Sequence, residues 1–307
     1  MKILQLRNIL LSCALGGFIL LLATPLSYAS DEAVYKEAKS LIKKGLASDV
    51  GFEIVESLTT EIGPRLAGSE AEARARSWGE GKFRELGFSN IRTEPFLVNH
   101  WERKFEQAQI ISPYPQNLVI TALGGSISTP PDGVTGEVVS FPTLQDLKDA
   151  PLKGLEGKIV FVDEYMTRTQ GGSGYGIAVR KRSGAANEAG KRGAIAALIR
   201  SVGTDHHRFA HTGQMTYEDD VIKVPVAALS APDADQLQRA LLKGTIQVNV
   251  VLDVISQGEA ISGNVIAEIP GETDEIVLIG GPVSYTHLRD HETMVDLVFR
   301  LLLEKGG

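Results

Sequence analysis

Hydrophobic and polar positions follow two different rhythms along this chain, and the change of rhythm divides it. From Asp31 to about Leu58, apolar residues recur at helical spacing among Lys and Glu, which predicts helix. Gly63-Pro64 stops that run, and Gly68 allows a tight turn. Ser69 and Glu72 have the S-x-x-E spacing of a capping box, so a second helix is expected from there to about Leu86, ending at Gly87. "NIRTEPFLV" then reads as a strand that Pro95 weakens or places at an edge. From about Ser112 the period shortens. "GVTGEVVSF" and "LEGKIVFVDE" read as strands bounded by glycines. "SGAANEAGKRGAIAALIRS" reads as helix, glycine turn and buried strand, and "VPVAALSAPDADQLQRALLKG" as a strand and then a helix from Ser230, with Asp233 three residues on. "TIQVNVVLDVIS" is a strand whose Gln247, Asn249 and Asp253 make one face partly polar. "GNVIAEIPGETDEIVLIGG" reads as two strands joined at Pro270-Gly271. The middle is thus a β-rich block with two short helices.

The first thirty residues follow neither rhythm. Lys2 and Arg7 precede an apolar run from Ile9 to about Ala23, Pro25 breaks it, and Ser27 and Ala29 place small residues at −3 and −1 of a cut before Ser30. This is the pattern of a cleavable signal peptide, cut at Ala29/Ser30, and it implies a secreted or periplasmic protein. A membrane anchor is the rival reading, because the run extends to Leu26. Cys13 is the only cysteine. Its flank Leu10-Leu11-Ser12 is only a loose lipidation signal, and the chain after the cut has no disulfide to form. Hydrophobic content of 43% and charged content of 22% are those of a globular protein, and a net charge of −7 spread along 307 residues argues against a nucleic-acid surface.

Candidate chemistry is sparse before the last thirty residues. His206, His207 and His211 cluster in "TDHHRFAHTG", after a buried strand. Two readings stand for this loop. Its imidazoles bond backbone groups, or Arg208, His207 and His211 lie near a substrate, with the Arg208 guanidinium able to pair with a peptide carboxylate. "RTQGGSGYG" lacks the spacing of a phosphate cradle and reads as a mobile loop. Arg65 braces its own loop or approaches a cleft. His100-Trp101 and "SPYPQ" read as packing at a junction.

Several stretches agree, in order, with one family. "EIGPRLAGSEAEARARSWGEGKFRELGFSNIRTEPF" resembles the opening of the M28 zinc peptidases, and "HWERKFEQAQIISPYPQNLVITALGGSISTPP", "GTDHHRFAHTG" and "SGNVIAEIPGETDEIVLIGG" resemble its carboxypeptidase Q (plasma glutamate carboxypeptidase-like) branch. "GKIVFVDE" and "KRGAIAALIRS" resemble the protease-associated domain inserted in those enzymes. The resemblance runs from about Ala33 to Gly281. It implies an α/β fold: the start of a phosphorylase/hydrolase-like peptidase domain, interrupted by a β-rich protease-associated domain. For the intact parent it implies two zinc ions, a Glu general base, hydrolysis of peptides or dipeptides with a free terminus, and a homodimer. In the family, the strand corresponding to "EIVLIGG" runs on into G-G-H-x-D-S, where the His binds zinc. Here Pro282 follows Gly281, no Asp-Ser comes after it, and residues 282–307 hold no Glu-Glu pair. The catalytic half is therefore expected to be missing. No catalytic or metal residue is assigned, no zinc is expected in this chain, and the chain is expected to be inactive.

Three readings compete for the tail. His287 and His291 at i and i+4, with Glu292, suggest zinc on a helix, but an H-E-x-x-H helix sets its Glu beside the first His. An ordinary surface segment followed by an apolar helix "MVDLVFRLLLEK" is the second reading. The third, favoured, is that "VSYTHLRDHET" is foreign, since it resembles a translated sequencing adaptor with Asp290 as the departure. The expected organisation is a signal peptide (1–29), a helical lead-in and peptidase start (30–111), the insert (112–256), returning core strands (257–281) and a non-native tail (282–307). A secreted, non-catalytic protease-associated binding module is the alternative function. Peptide substrate, no nucleic acid, and membrane contact only through an uncleaved signal complete the expectations.

Overall fold

A computed structural model of the chain describes residues 31–256, 258–271, 275–282 and 296–301. The signal segment, His287, His291 and Glu292 lie outside them. The chain divides into two compact units, Met1–Glu56 and Ser57–Gly307. In the first, α1 (Asp31–Leu46) and the start of α2 (Val50–Ser57) follow the helical spacing, with Val34, Tyr35, Leu41, Ile42 and Phe52 exposed.

The second unit begins with a short π-helical turn, Leu58–Ile62, closed by the Gly63 N–H donating to the Leu58 carbonyl. Helix α3 (Glu70–Glu85) is capped as the sequence indicates, the Ser69 hydroxyl accepting from the Glu72 N–H, and it ends before Gly87 in a left-handed conformation (φ 82°). β1 (Ser89–Asn99) pairs antiparallel with β10 (Glu259–Glu268). Phe83, Phe88, Ile91, Val265 and Ala267 pack α3 onto this ribbon. These elements form a frame. The chain leaves the frame at Asn99 and returns at Glu259, two residues that face each other in the ribbon. Three residues beyond Asn99 a second ribbon begins, with Glu102 opposite Ile255. Everything between is an insertion on two adjacent strands, a topology that a separately cored domain permits.

The insert is an eight-stranded sheet in the order β3-β2-β9-β5-β6-β7-β8-β4. Its strands are β2 (Glu102–Ser112), β3 (Gln116–Leu118), β4 (Ile120–Ala122), β5 (Val134–Phe141), β6 (Ile159–Val162), β7 (Ala196–Arg200), β8 (Val226–Leu229) and β9 (Gln247–Ile255). β5 to β8 run parallel, flanked by antiparallel neighbours. The unbroken apolar runs "IVFV", "AALI" and "VAAL" are these central strands, buried on both faces as parallel strands must be. Strand alternation divides them between two cores. Ile159, Phe161, Ala196, Leu198, Ala227 and Leu229 face α7 (Ala231–Leu241). Val160, Val162, Ala197, Ile199, Val226 and Ala228 face α4 (Leu144–Asp149) and α6 (Lys181–Lys191).

The structure corrects the sequence reading at four places. The sheet opens at Glu102, ten residues before the expected insert boundary at 112, because β2 belongs to it. Four helices, not two, lie in the insert, α5 (Ser173–Ala178) being the one between α4 and α6. Part of "RTQGGSGYG" is therefore helix, starting at Gly172 in a left-handed conformation (φ 70°), where a loop is expected. Asp296–Leu301, helical in one reading of the tail, is strand β12, paired with β11 (Val277–Pro282). The fold is mixed α/β with a largely sheet core, as expected.

Candidate functional site

Sites in α/β sheets collect at the carboxyl ends of parallel strands, and that edge of the insert carries a polar cluster. Each apolar strand gives way to a polar residue at this edge: Asp163 directly after β6, Arg200 at the end of β7, and Ser230 directly after β8, which leads to Asp233 and Asp235 on α7. Arg200 is buried and donates from Nε to Asp163 Oδ1 (2.7 Å) and from Nη2 to Asp235 Oδ1 (2.7 Å). Its guanidinium lies 3.8 Å over the Tyr165 ring, and the Tyr165 hydroxyl donates to Asp235 at 3.0 Å. Burial pushes the Asp163 carboxyl above the usual carboxylate range, against the pull of Arg200. Asp235, half-way to solvent, is held below it by His206, Arg200 and Tyr165, which outweigh its burial. Lys181, fully buried on the first turn of α6, donates to the Glu164 carbonyl, and burial lowers its pKa to about 7.

The histidine loop folds onto this edge. Arg208 grips Asp233, with Nε at 3.2 Å from both carboxylate oxygens and Nη2 at 3.0 Å from Oδ1, and it also donates to the Asn117 carbonyl. Asp233 is itself buried and accepts from the Ser230 hydroxyl and the Val119 N–H. His206 meets Asp235 at 2.9 Å and His211 meets Asp205 at 2.7 Å. His207 stacks flat on Phe209, centroids 5.7 Å apart. The structure thus brings Arg208, His207 and His211 into one loop, but the Arg208 fork and the His211 ring are occupied by carboxylates of this same chain. The sequence reading missed Asp163, Lys181, Arg200 and Asp235. The available signal was position, since each lies on or immediately beyond an apolar run or on the helix that follows one.

A second concave feature lies where frame and insert join. A cavity of about 690 Å³ is lined by Pro64, Leu66, Ser69, Arg74, His100 and Lys104, among others. Lys104 pairs with Glu102 at 3.3 Å. Arg65 is buried outside this cavity and donates to the Leu58 carbonyl at 3.5 Å, bracing its loop. Trp101 donates to the Ser126 carbonyl at 2.8 Å, the junction packing that the sequence suggests.

Neither place is a catalytic constellation. Among the described residues, no group of three or more His, Cys, Asp or Glu is placed to hold a metal ion. The described side chains therefore do not fit zinc. The carboxyl-edge cluster is a closed set of ion pairs that fastens the histidine loop and the start of α7 to the sheet.

Comparison with known proteins supplies what the local chemistry does not. No protein-family profile matches the chain. Carboxypeptidase Q of Xenopus laevis is 34% identical over 254 residues, covering 80% of this chain and 53% of that protein. Carboxypeptidase Q of Bos taurus is 35% identical over 250 residues, covering 80% and 52%. The solved structure of a peptidase M28 precursor from Shewanella amazonensis aligns with a TM-score of 0.76 at 46% identity, covering 80% of this chain and 55% of that one. The chain spans about half the length of the relatives it matches. Among the described residues, no helix is long and apolar enough to cross a membrane.

Proposed function

We propose, for a chain that is carboxypeptidase Q-like and M28-like over four-fifths of its length, that it forms the opening portion of an exported metallopeptidase. The observation that carries this reading is the agreement in both sequence and fold with the Shewanella M28 precursor over 80% of this chain. The rival reading, a binding module without a peptidase, explains only the insert. It leaves unexplained why the likeness covers 80% of this chain, a larger share than the insert alone makes up.

In this reading, residues 102–255 are a protease-associated domain set into the peptidase fold. β11 supports it. Ile276, Val277, Leu278 and Ile279 are all between 45 and 58% exposed, so consecutive positions, pointing to opposite faces, are both apolar and both bare. A strand of that composition belongs in the middle of a sheet covered on both sides. In the whole protein, peptide-bond hydrolysis with zinc, on peptides with a free terminus, is assigned to residues beyond those described. No step of it falls to the side chains of the carboxyl edge. The signal segment fits export, and a homodimer of the whole protein is part of the same reading.

The test is direct. The 307-residue chain, incubated with zinc and free-terminus dipeptides, is expected to release no more product than zinc and buffer alone. Zinc-dependent turnover by this chain would contradict the assignment of chemistry to residues outside the described set.

A further inference from the structure

The cavity where frame and insert join has a tightly packed wall and two charges with nothing to meet. Its volume is about 690 Å³, room for a short peptide. Gly68 forms part of the wall at φ 78°, so close to β10 that a Cβ there would fall 2.7 Å from the Ala260 Cβ. Other charged groups around the cavity are already matched. Lys104 and His100 both face Glu102, at 3.3 and 3.5 Å. Arg103 is held by the Ala122 carbonyl, by Glu106 and by the Trp101 ring. Arg74 and Glu70 are the exceptions. Both line the cavity, both are exposed, and among the described residues neither side chain makes an ion pair or a hydrogen bond.

The spacing of these two charges decides what can meet them. Glu70 and Arg74 stand four residues apart on α3, where a glutamate and an arginine commonly pair across one helical turn. Here they do not pair, so each charge stays available to a ligand. Four residues make about 6 Å along a helix axis. Two extended residues of a peptide span at most about 7 Å. A dipeptide with both ends free therefore carries its ammonium and its carboxylate at a matching separation, whereas a single amino acid brings them within about half that distance. Pro64, Leu66, Ala71 and Ile255 supply apolar wall for the ligand's side chains.

We propose that the junction cavity binds a dipeptide as its zwitterion, the Arg74 guanidinium holding the carboxylate through its fork and Glu70 holding the ammonium. The ligand class rests on the peptidase reading; the site rests on the cavity and its two unmet charges. Arg74 is then the residue that selects a free carboxyl end, and Glu70 the one that selects a free amino end.

The experiment is equilibrium dialysis of the full chain against labelled glycyl-leucine, with glycyl-leucinamide and N-acetylglycyl-leucine as competitors. Saturable uptake of one dipeptide per chain is expected. Each competitor lacks one terminal charge and is expected to displace the label about tenfold less well than unlabelled glycyl-leucine, the scale for losing a hydrogen bond to a charged group. Arg74→Gln is expected to weaken uptake by about tenfold and to remove the preference over the amide. Glu70→Gln is expected to weaken it similarly and to remove the preference over the acetylated form. A merely structural role for either residue would leave both preferences in place. Both side chains are exposed, so both variants are expected to unfold in urea as the parent does. Absence of saturable uptake by the unmodified chain overturns the proposal, as does undiminished uptake in either variant or equal displacement by the competitors. Binding is read here without turnover, so its failure leaves the peptidase reading standing, and failure of that reading leaves the uptake to be measured.

Discussion

Arg200 holds two carboxylates at once, and that makes it the residue whose loss the insert should feel most. Replacing it by Leu leaves Asp163 and Asp235 without their cation and strips the cover from Tyr165. The expected loss of stability is about 3–5 kcal/mol, the cost of breaking a buried pair from one side, read by urea denaturation of the variant against the parent. Lys181 carries a pH signature. Its pKa is about 7 in the folded chain and 10.5 when unfolded, so between those values the unfolded chain binds the extra proton. Stability from this group is therefore lowest below about pH 7 and rises with pH toward about 10. Above that, Tyr165 and Tyr217, both pushed up by burial, act in the opposite sense. Lys181→Met is expected to flatten the rise, measured as the unfolding free energy at about pH 7 and about pH 9.5. A parent chain with no rise across that window contradicts the buried placement of Lys181. Residue roles were the least legible part of the sequence. Arg208 looks like a free guanidinium in "DHHRFAH", because its partner Asp233 is twenty-five residues away and becomes a neighbour only when β8 and α7 fold.

Elements were easier to read, for reasons that differ between them. Both S-x-x-acid signatures mark real helix starts, since a cap is a local hydrogen bond that needs no tertiary context. Ser230→Ala is expected to cost about 1 kcal/mol for the lost cap, and more if Asp233, which also holds Arg208, loses its alignment; thermal denaturation measures the sum. The central strands stood out because both faces are apolar. β2 did not, because Glu102, Arg103 and Lys104 begin it and half of its positions face outward, hiding the alternation. The helix in "GGSGYG" was hidden by its glycines, which score against helix although Gly172 supplies the left-handed turn that opens it. β11 is legible and consequential. Leu278→Lys is expected to reduce self-association of the chain, because it places a charge on a bare apolar strand. Light scattering at matched concentration reads the difference, and equal scattering would argue that β11 is not the sticky surface.

At the scale of the whole molecule, the adjacent crossings Asn99–Glu102 and Ile255–Glu259 make the insert a self-contained body on a two-strand stem, while the frame is small and ends in a strand bare on both faces. This architecture is shared with an M28 precursor, and among the described residues no group of three or more His, Cys, Asp or Glu is placed to hold a metal ion. The most direct measurement joins residues 30–281 of this chain, in frame at Gly281, to the portion of the Shewanella amazonensis M28 precursor that follows the aligned region, and assays hydrolysis of free-terminus dipeptides with and without a chelator. Chelator-sensitive turnover by the chimera, absent from residues 30–281 alone, is the expected result. A chimera that folds, binds zinc and leaves every peptide intact would contradict the account.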